Sequence, residues 1–514
     1  MLLKFITLTL LSVLSLGAFA GSAHPLVILA NAGEARSGPD GKGQYPVLQV
    51  APPSALTAQI QDNLRQPFAE LILELDALSA QMTGDSRTCG GLSSASLLYL
   101  SEEDGGYARY GFWLQSDSGE ASFCKLHFVD MTVSTKDIEQ GAFLEIFAHE
   151  MGHVFLRRLM NGYPLSPSAT FHNVFAVTDY ATAFDEGFAI HLQTLASVLM
   201  QQPQFQARNQ GRLTPTLANH WFSRIDGRYR LWGVQHNVFV HEKHSPLASD
   251  DKQAYWQQIL SSQFYPSKLK NGQAMLSSEG VLATLFYRLA VSPELSALDP
   301  SDPNWLPKAK AHFSLLFKAL QGLKWSGDGA DSEYLALLQR LADTDAAYGQ
   351  AAQHSFVATT YGTTITNEYQ SLFESMLSAG ASGDIEAYIP LYRQADEALK
   401  RQSEALTAAK VTLHAGLGAP LWLLQEKTAI ASAPWGGNKH SLAVNLNSAN
   451  AAELTLLGIF SEKNINHLLE DRQQNGPYNS LQDMLTRIQL SAGQLVQLQA
   501  LQKAHKEKGQ RRLD

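Results

Sequence analysis

The stretch AFLEIFAHEMGHVFL, residues 142–156, determines how the rest of the chain is interpreted. Apolar residues on both sides of its centre, His149-Glu150-Met151-Gly152-His153, continue one helical pattern. Histidines four positions apart project from the same face of a helix, so their imidazoles can bind one metal ion. Two neutral imidazoles suit zinc, and a catalytic zinc site needs a third protein ligand and an open position for water. Glu150 follows His149 directly, where its carboxylate can accept a proton from that water.

A chance match is the alternative explanation of this five-residue pattern, and the two histidines would then lie on the surface. The apolar flanks instead predict that the segment is buried. Burying two histidines and a glutamate without a common partner is unfavourable, because each side chain loses its contacts with water. The sequence therefore predicts a metal ion bound between His149 and His153.

The third ligand is predicted from a second helical run, residues 186–200, which begins 33 residues after His153. Its first carboxylate, Glu186, is the candidate ligand, and Asp185 can orient a ligand from outside the coordination sphere. Gly187 allows a neighbouring helix to approach closely. In the alternative interpretation the two acids only cap the helix. Three other side chains compete as ligands, namely His172, Asp179 and His191.

Over roughly residues 95–200 the sequence resembles the gluzincin metallopeptidases. These combine a two-histidine helix with a glutamate on a second, downstream helix, positions matched here by His149, His153 and Glu186. The resemblance implies a Zn2+ cofactor, peptide or protein substrates, and hydrolysis by a zinc-activated water with Glu150 as general base. The alternative function is that of a non-catalytic DNA-binding or protein-scaffolding envelope protein whose metal site is structural or vestigial.

The gluzincin resemblance also implies two features of the substrate cleft. An edge strand aligns the peptide by main-chain pairing, and residues 124–130 are the candidate strand. A tyrosine or histidine stabilises the oxyanion that forms during the reaction. Spacing does not choose among the candidates for that residue, which are His220, His236, Tyr287 and Tyr361.

The composition excludes several classes of protein. Of the 514 residues, 45% are hydrophobic, which is too many for an intrinsically disordered chain. Two cysteines cannot frame a disulfide-rich scaffold or a multi-cysteine metal cluster. The 39 basic and 48 acidic residues give a net charge of −9, which argues against a protein that coats nucleic acid.

The N-terminal residues 1–20 have the pattern of a signal peptide. Lys4 precedes a Leu-rich apolar run that ends in Ala18-Phe19-Ala20, a small-residue cleavage site. A membrane anchor is the alternative, but the run is shorter than the roughly 20 residues that span a bilayer. We therefore expect an exported bacterial protein, periplasmic or secreted. In that oxidising compartment Cys89 and Cys124 are expected to form a disulfide, two buried free thiols being the alternative.

The remaining patterns predict an α+β fold that is mainly helical. A small N-terminal β-sheet, built from residues 96–100, 107–115 and 122–132, is expected to pack on a zincin-like helical catalytic region. A helix is predicted over residues 55–81, with Pro67 either kinking it or marking the first turn of a shorter helix. The predicted units are a signal peptide (1–20), an extended or loosely packed segment (21–54), a catalytic core (55–200), a helical domain completing the cleft (201–430), a linker (431–440), a small all-α domain (441–503) and a basic tail (504–514).

Residues 443–502 resemble the tandem helix-hairpin-helix domain of the competence-type DNA receptors. DNA-binding members hold a phosphate on the backbone amides of a Gly-x-Gly hairpin, but Phe460 stands at the second glycine position here. Residues 441–502 carry three basic and five acidic side chains, a balance of 3 − 5 = −2. DNA binding is therefore disfavoured, and a protein-docking or intramolecular packing role is expected. The basic tail is expected to be solvated and disordered.

Overall fold

The structure, a computed structural model, describes residues 26–84, 88–89, 92–93, 96–103, 105–160, 162–163, 174, 177–200, 230–243, 264–299, 301–325, 332–425 and 442–511. The predicted signal peptide and the predicted linker lie outside these residues. The described part confirms the expected fold class, because it combines a small N-terminal β-structure with a majority of helices. None of its helices is both long and apolar enough to cross a membrane.

Five strands close into a barrel. The last three along the chain confirm the predicted strands to within one residue at each end. Alternate side chains point into the barrel, because successive residues of a strand face opposite sides. In their order around the barrel, the strands are β1 (Leu26–Ser37), β2 (Gln44–Val50), β6 (Gly106–Gln115), β7 (Ala121–Met131) and β5 (Ser96–Leu100). The interior is filled by Leu29, Leu48, Leu97, Phe112 and Phe128.

The segment before residue 54 is more ordered than the sequence predicts. It contributes β1 and β2 to the barrel, and Leu29 and Leu48 are fully buried there. The pairing of β1 with β2 shifts register on both sides of Gly33. This interruption breaks the alternation of polar and apolar residues by which a strand is usually identified.

A short hairpin is bonded covalently to the barrel. It consists of β3 (Thr88–Cys89) and β4 (Leu92–Ser93). Cys89 forms a disulfide with Cys124 of β7, with Cα atoms 5.6 Å apart, which confirms the predicted pair. In the chain-entropy description, a disulfide that closes a loop of this length stabilises the fold by about 3–4 kcal/mol.

Two helices replace the single helix predicted over residues 55–81. Helix α1 (Ala55–Asn63) is capped by Ser54, and α2 (Pro67–Thr83) begins at Pro67. Pro67 therefore marks the first turn of a shorter helix and kinks nothing. Proline suits that position because its fixed φ is helical and its missing N–H would have no partner within the helix.

The helices that carry the predicted metal ligands pack directly on each other. Helix α4 (Ala142–Leu159), which follows the short α3 (Thr135–Glu139), lies against α5 (Tyr180–Leu199). A Cβ atom on Gly152 of α4 would lie 2.9 Å from the Cα atom of Ala189 of α5. Real Cβ atoms do not approach a backbone atom so closely, so glycine permits this helix contact.

A second close contact lies on the other side of α5, against α7 (Glu279–Val291), which follows α6 (Gly272–Leu276). A Cβ atom on Gly187 would lie 2.5 Å from Cβ of Leu282. This agrees with the close helix approach predicted at Gly187. The body also contains β8 (His241–Lys243), β9 (Phe264–Leu269), α8 (Trp305–Gln321), α9 (Glu333–Thr344), α10 (Ala346–Thr360), α11 (Gln370–Ser382) and α12 (Ile385–Thr407).

The C-terminal module comprises residues 421–425 and 442–511. Strand β10 (Trp422–Gln425) pairs antiparallel with β11 (Leu442–Asn445), so the module begins before the predicted boundary at residue 441. Two helix pairs follow, each joined by a short hairpin. They are α13 (Ala451–Leu456) with α14 (Glu462–Asn475), and α15 (Leu481–Arg487) with α16 (Ala492–Arg511).

The C-terminal module is packed against the helical body. Leu421 and Leu423 enter the module's own core, whereas Trp422 and Leu424, pointing the opposite way, enter the core of the body. Helix α16 continues to Arg511, and His505 stacks on Trp422 with ring centroids 5.8 Å apart. The predicted disordered tail, residues 504–514, is therefore wrong at its start, where Ala504 and His505 pack on the body and on Trp422 and the helix continues to Arg511.

Candidate metal centre

Helix α4 presents His149 and His153 one turn apart, as their spacing predicts. Their Nε2 atoms lie 3.3 Å from each other. Glu186 of α5 completes a triangle, since its Oε2 lies 3.5 Å from Nε2 of His149 and 3.9 Å from Nε2 of His153. Tetrahedral zinc bonds of about 2.0–2.1 Å separate neighbouring ligand atoms by about 3.3–3.4 Å. The three side chains therefore fit one zinc ion, and three protein ligands is the number that catalytic zinc sites use.

Asp185 lies behind the triangle, where the sequence predicts an orienting carboxylate. Its Oδ1 is 2.9 Å from Nδ1 of His153, and its side chain is only 1% exposed. A carboxylate at Nδ1 keeps a proton on that nitrogen and fixes the orientation of the ring. Nε2, on the other side of the ring, is the atom that lies 3.3 Å from Nε2 of His149 and 3.9 Å from Oε2 of Glu186.

Glu150 is buried on the strand side of the site. Its carboxylate, together with one nitrogen of each histidine, forms a group of possible ligand atoms that all lie within 4.8 Å of one another. A Cβ atom on Gly106 of β6 would lie 3.0 Å from Oε1 of Glu150 and 2.7 Å from Cγ2 of Ile146. Glycine at this strand position therefore makes room for the carboxylate.

The interpretation of Asp185 and Glu186 as a helix cap is wrong. Helix α5 begins at Tyr180, six residues before Glu186, and Asp179 caps it by accepting a hydrogen bond from the amide of Thr182 at 2.8 Å. This also removes Asp179 from the competing ligands. The two acids lie in the second turn of α5 because the helix extends further toward the N-terminus than its apolar periodicity indicates.

The remaining competing ligands do not join the site in the part of the chain that is described. His191 is fully buried and stacks on Phe286, with ring centroids 5.3 Å apart. Burial lowers the pKa of His191 to about 3, so this side chain is a neutral core residue. His172 lies outside the described residues.

The structure assigns no oxyanion-stabilising residue among the predicted candidates. His236 is exposed and stacks on Trp232, with ring centroids 4.9 Å apart. Tyr361 packs against Phe373 at 5.3 Å. Tyr287 of α7 is half-buried, and burial raises the pKa of its hydroxyl above the ordinary value. His220 lies outside the described residues.

The predicted edge strand, residues 124–130, belongs to β7. It pairs with β6 along its length, and Val129 and Asp130 also pair with β5, so the end of the predicted segment is not an edge. The strand beside the metal centre is β6, whose first half, residues 106–110, pairs with β7 alone among the described strands. Its outer edge faces α4, and Arg157 of that helix donates a hydrogen bond to the carbonyl oxygen of Ala108.

Gly106 is the site residue that sequence reasoning missed. The pair Gly105-Gly106 is a normal turn signal, and the turn ends at Gly106, where β6 begins. A second glycine after the turn has no role in turn geometry, and its presence was the available signal that another group approaches the strand closely.

Carboxylates control the protonation of His153. Burial alone would lower its pKa, but the negative charges of Asp185 and Glu186 outweigh burial and raise the pKa to about 9. In the metal-free protein His153 is therefore an imidazolium at neutral pH. A metal ion can bind its Nε2 only after that nitrogen has lost its proton.

Zinc binding to the metal-free protein is therefore expected to release a proton and to tighten as the pH rises from 6.5 to 9. Because the folded-state pKa is raised above the ordinary 6.5, the protonated form also stabilises the metal-free protein below pH 6.5. That stabilisation, on the order of 3 kcal/mol, is lost as the pH rises through 9. Calorimetric zinc titration in buffers of different ionisation enthalpy measures the proton release, which Asp185→Asn should reduce. A zinc affinity that does not change between pH 6.5 and 9 would contradict a protonated His153 as a zinc ligand.

Comparison of the chain with protein-family models, with curated proteins and with solved structures finds no match. The geometry of His149, Glu150, His153, Asp185 and Glu186 is therefore the basis for inferring a function.

Proposed function

We propose that this protein is a zinc-dependent peptidase that uses Glu150 as its general base. The observation that carries the proposal is the triangle of Nε2 of His149, Nε2 of His153 and Oε2 of Glu186, with separations of 3.3–3.9 Å. A second buried carboxylate, Glu150, lies beside the triangle. A purely structural zinc site has no use for an additional carboxylate, so Glu150 favours hydrolysis over a structural role.

The chain's own residues supply the proton transfers and the positioning that peptide hydrolysis needs. When bound, zinc would act as a Lewis acid that polarises the substrate carbonyl and lowers the pKa of water. The Glu150 carboxylate would accept a proton from the attacking water and donate it to the leaving amine. The start of β6, at Gly106, lies next to Glu150, where its main chain would pair with an extended peptide.

We also propose that the protein acts outside the cytoplasm, as its N-terminal sequence predicts. The disulfide between Cys89 and Cys124 supports this location, because disulfides persist in oxidising compartments. Cleavage after Ala20 and accumulation of the mature chain in the periplasm or medium are the expected results of expressing the full-length protein in a bacterial host. Retention of the protein in the cytoplasm with both thiols reduced would contradict the proposed location.

The alternative function is that of a DNA-binding or protein-scaffolding envelope protein, and its DNA-binding form requires hairpins whose backbone amides face a phosphate. In the C-terminal module one amide after each hairpin is engaged in a helix cap. The amide of Asn464 donates to Oγ of Ser461 at 3.2 Å, and the amide of Gln494 donates to Oγ of Ser491 at 3.3 Å. The two caps also bind each other, since Nε2 of Gln494 donates to Oδ1 of Asn464 at 3.0 Å. The hairpins therefore face one another.

Two arginines of the module are also held by contacts inside it. Arg472 is partly buried and donates to the carbonyl oxygens of Leu446 and Ala449 at 2.7 and 2.8 Å. Arg487 pairs with Asp471 at 2.6 Å. Two of the three basic residues in the acidic segment 441–502 are thus used within the module and are not available to a phosphate backbone, whereas Lys503, Lys506, Lys508 and Arg511 follow at the end of α16. We propose an intramolecular packing role for the C-terminal module.

Zinc content and cleavage of a mixed peptide library by the mature protein test the proposed function. We expect one zinc per chain by elemental analysis, with cleavage that a chelator abolishes and added zinc restores. Stoichiometric zinc without cleavage of any peptide would overturn the peptidase proposal. Retention of a DNA duplex by the same preparation at physiological salt would favour the alternative function.

Glu186→Ala is expected to weaken zinc binding by more than about 100-fold, because it removes one of three protein ligands. Asp185→Asn, which changes a partner outside the coordination sphere, is expected to cost about 10- to 100-fold. Competition with a chromogenic chelator measures both affinities. Glu139→Ala, at an exposed carboxylate of α3, serves as the matched control and should bind zinc normally. Full zinc occupancy and activity in Glu186→Ala would show that the third ligand is wrongly assigned.

A further inference from the structure

The first turn of α5 is held by contacts that the proposed peptidase mechanism does not use. The hydroxyl of Tyr180 donates a hydrogen bond to Oε1 of Gln273 on α6. The ring of Tyr180 packs edge-on against Trp422 of the C-terminal module, with ring centroids 5.3 Å apart. All three side chains are buried. The helix that carries Glu186 is therefore in direct contact with the module.

Gln273 connects the helical body to the C-terminal module. Its Oε1 also accepts a hydrogen bond from Nδ2 of Asn445 on β11 at 2.8 Å, and its Nε2 donates to the carbonyl oxygen of Leu417 at 3.0 Å. Next to it, Nδ2 of Asn271 donates to the carbonyl oxygen of Asn447 at 2.5 Å. Loss of one member of such a buried network leaves its partners unsatisfied, so the arrangement is strongly specified.

The buried network lies close to the proposed metal ligands. Tyr180 precedes Glu186 by six residues, about 9 Å along the helix at a rise of 1.5 Å per residue. The segment before α5 is fixed as well, because the amide of Thr178 donates to the carbonyl oxygen of Ser277 at 2.7 Å. His149 and His153 lie on a different helix, α4. A displacement of the first turn of α5 would therefore move Glu186 relative to the two histidines.

We propose that the C-terminal module positions the third metal ligand, acting through Asn445, Gln273 and Tyr180 on Glu186. This inference rests on the proposed function, because it requires Glu186 to bind the metal ion. The coupling is reciprocal, so zinc binding also stabilises the docked module. The module is then part of the metal centre's support, and any change that separates it from the body weakens metal binding.

Zinc affinity of the full chain, measured by competition with a chelator, tests this proposal in Tyr180→Phe and Asn445→Ala. Tyr180→Phe removes a single hydroxyl, so that variant keeps the aromatic packing. Each variant is expected to bind zinc at least about 5-fold more weakly than wild type. The double variant should lose less than the product of the two effects, because both changes break one network. Hydrogen exchange of residues 180–187 should also increase in both variants.

Met484→Ala is the matched control, since Met484 is fully buried in the module's own core and takes no part in the network. It should lower the melting temperature of the module but leave zinc affinity within about 2-fold of wild type. Cobalt(II) bound in place of zinc should show a changed visible spectrum in Asn445→Ala and an unchanged one in Met484→Ala.

Three outcomes separate this inference from the proposed function. If Tyr180→Phe and Asn445→Ala both bind zinc as tightly as the wild-type protein, the module does not position Glu186, and the peptidase proposal is unaffected. An equal loss of affinity in Met484→Ala would overturn the positioning role too, because general destabilisation would then explain the effect. Failure of the wild-type protein to bind zinc would instead refute the proposed function itself.

Discussion

Glu150→Gln is expected to lower kcat by about 10²- to 10⁴-fold on any peptide that the wild-type protein cleaves. The amide has nearly the same size as the carboxylate but cannot accept a proton from the attacking water. Glu150 is buried and lies against Gly106, so an isosteric replacement should leave the packing of α4 on β6 unchanged. KM should change much less than kcat, because the substitution removes a proton acceptor and no contact that binds the ground state.

Zinc content distinguishes a general base from a ligand at this position. Glu150→Gln should contain as much zinc as the wild-type protein by elemental analysis. Glu139→Gln, at an exposed carboxylate of α3, controls for the loss of one negative charge and should keep full activity. Retained activity in Glu150→Gln would exclude Glu150 as the base, and lost zinc would show that its carboxylate binds the metal ion instead.

Asp76→Ala is expected to lower the free energy of unfolding by about 3–5 kcal/mol. Asp76 of α2 accepts a hydrogen bond from Nη1 of Arg158 at 2.7 Å and from Oγ of Ser96 at 2.6 Å. Both members of the ion pair are nearly fully buried. Because Arg158 lies on α4 and Ser96 begins β5, this carboxylate ties the metal-site helix to the barrel. Its removal would take away a carboxylate that lies 2.7 Å from a buried guanidinium and leave a cavity in its place.

Denaturant unfolding of the mature protein measures this loss, and a double variant identifies its cause. Asp76→Leu combined with Arg158→Met removes both charges and should recover most of the lost stability, since apolar side chains of similar size replace the pair. Arg65, which pairs with Asp62 on an exposed surface, offers the comparison: Arg65→Met should change stability by less than about 1 kcal/mol. An equally small effect of Asp76→Ala would show that the buried pair contributes little.

Local geometry explains which parts of the candidate site were predictable. His149 and His153 share a helix face because four residues make just over one turn, and this holds wherever the helix lies in the fold. The cysteine pair was predictable because a chain with two cysteines has only one possible intramolecular disulfide. Strands β5, β6 and β7 were found because turn signals bound them.

Longer-range packing explains which predictions were wrong. Residues 124–130 have the composition of a strand, but their composition does not identify the strands that pair with them. Residues 504–511 are polar and basic, yet His505 stacks on Trp422, some eighty positions earlier in the chain. The composition of a segment indicates only its local structural tendency. The structure of these two segments in the fold depends on partners that are distant in sequence.

The side chains of the candidate site could be read from local patterns alone: two imidazoles on one helix, a carboxylate beside them, and two adjacent acids on a second helix. The folded structure was needed to show that Glu186 and the histidines converge within 3.9 Å, that Asp185 lies behind His153, and that the C-terminal module contacts α5. This division arises because helix periodicity is set by local backbone geometry. The convergence of separate elements depends on how their surfaces pack, for example where Gly152 lets α4 approach α5, and local patterns do not show which helix will be the partner.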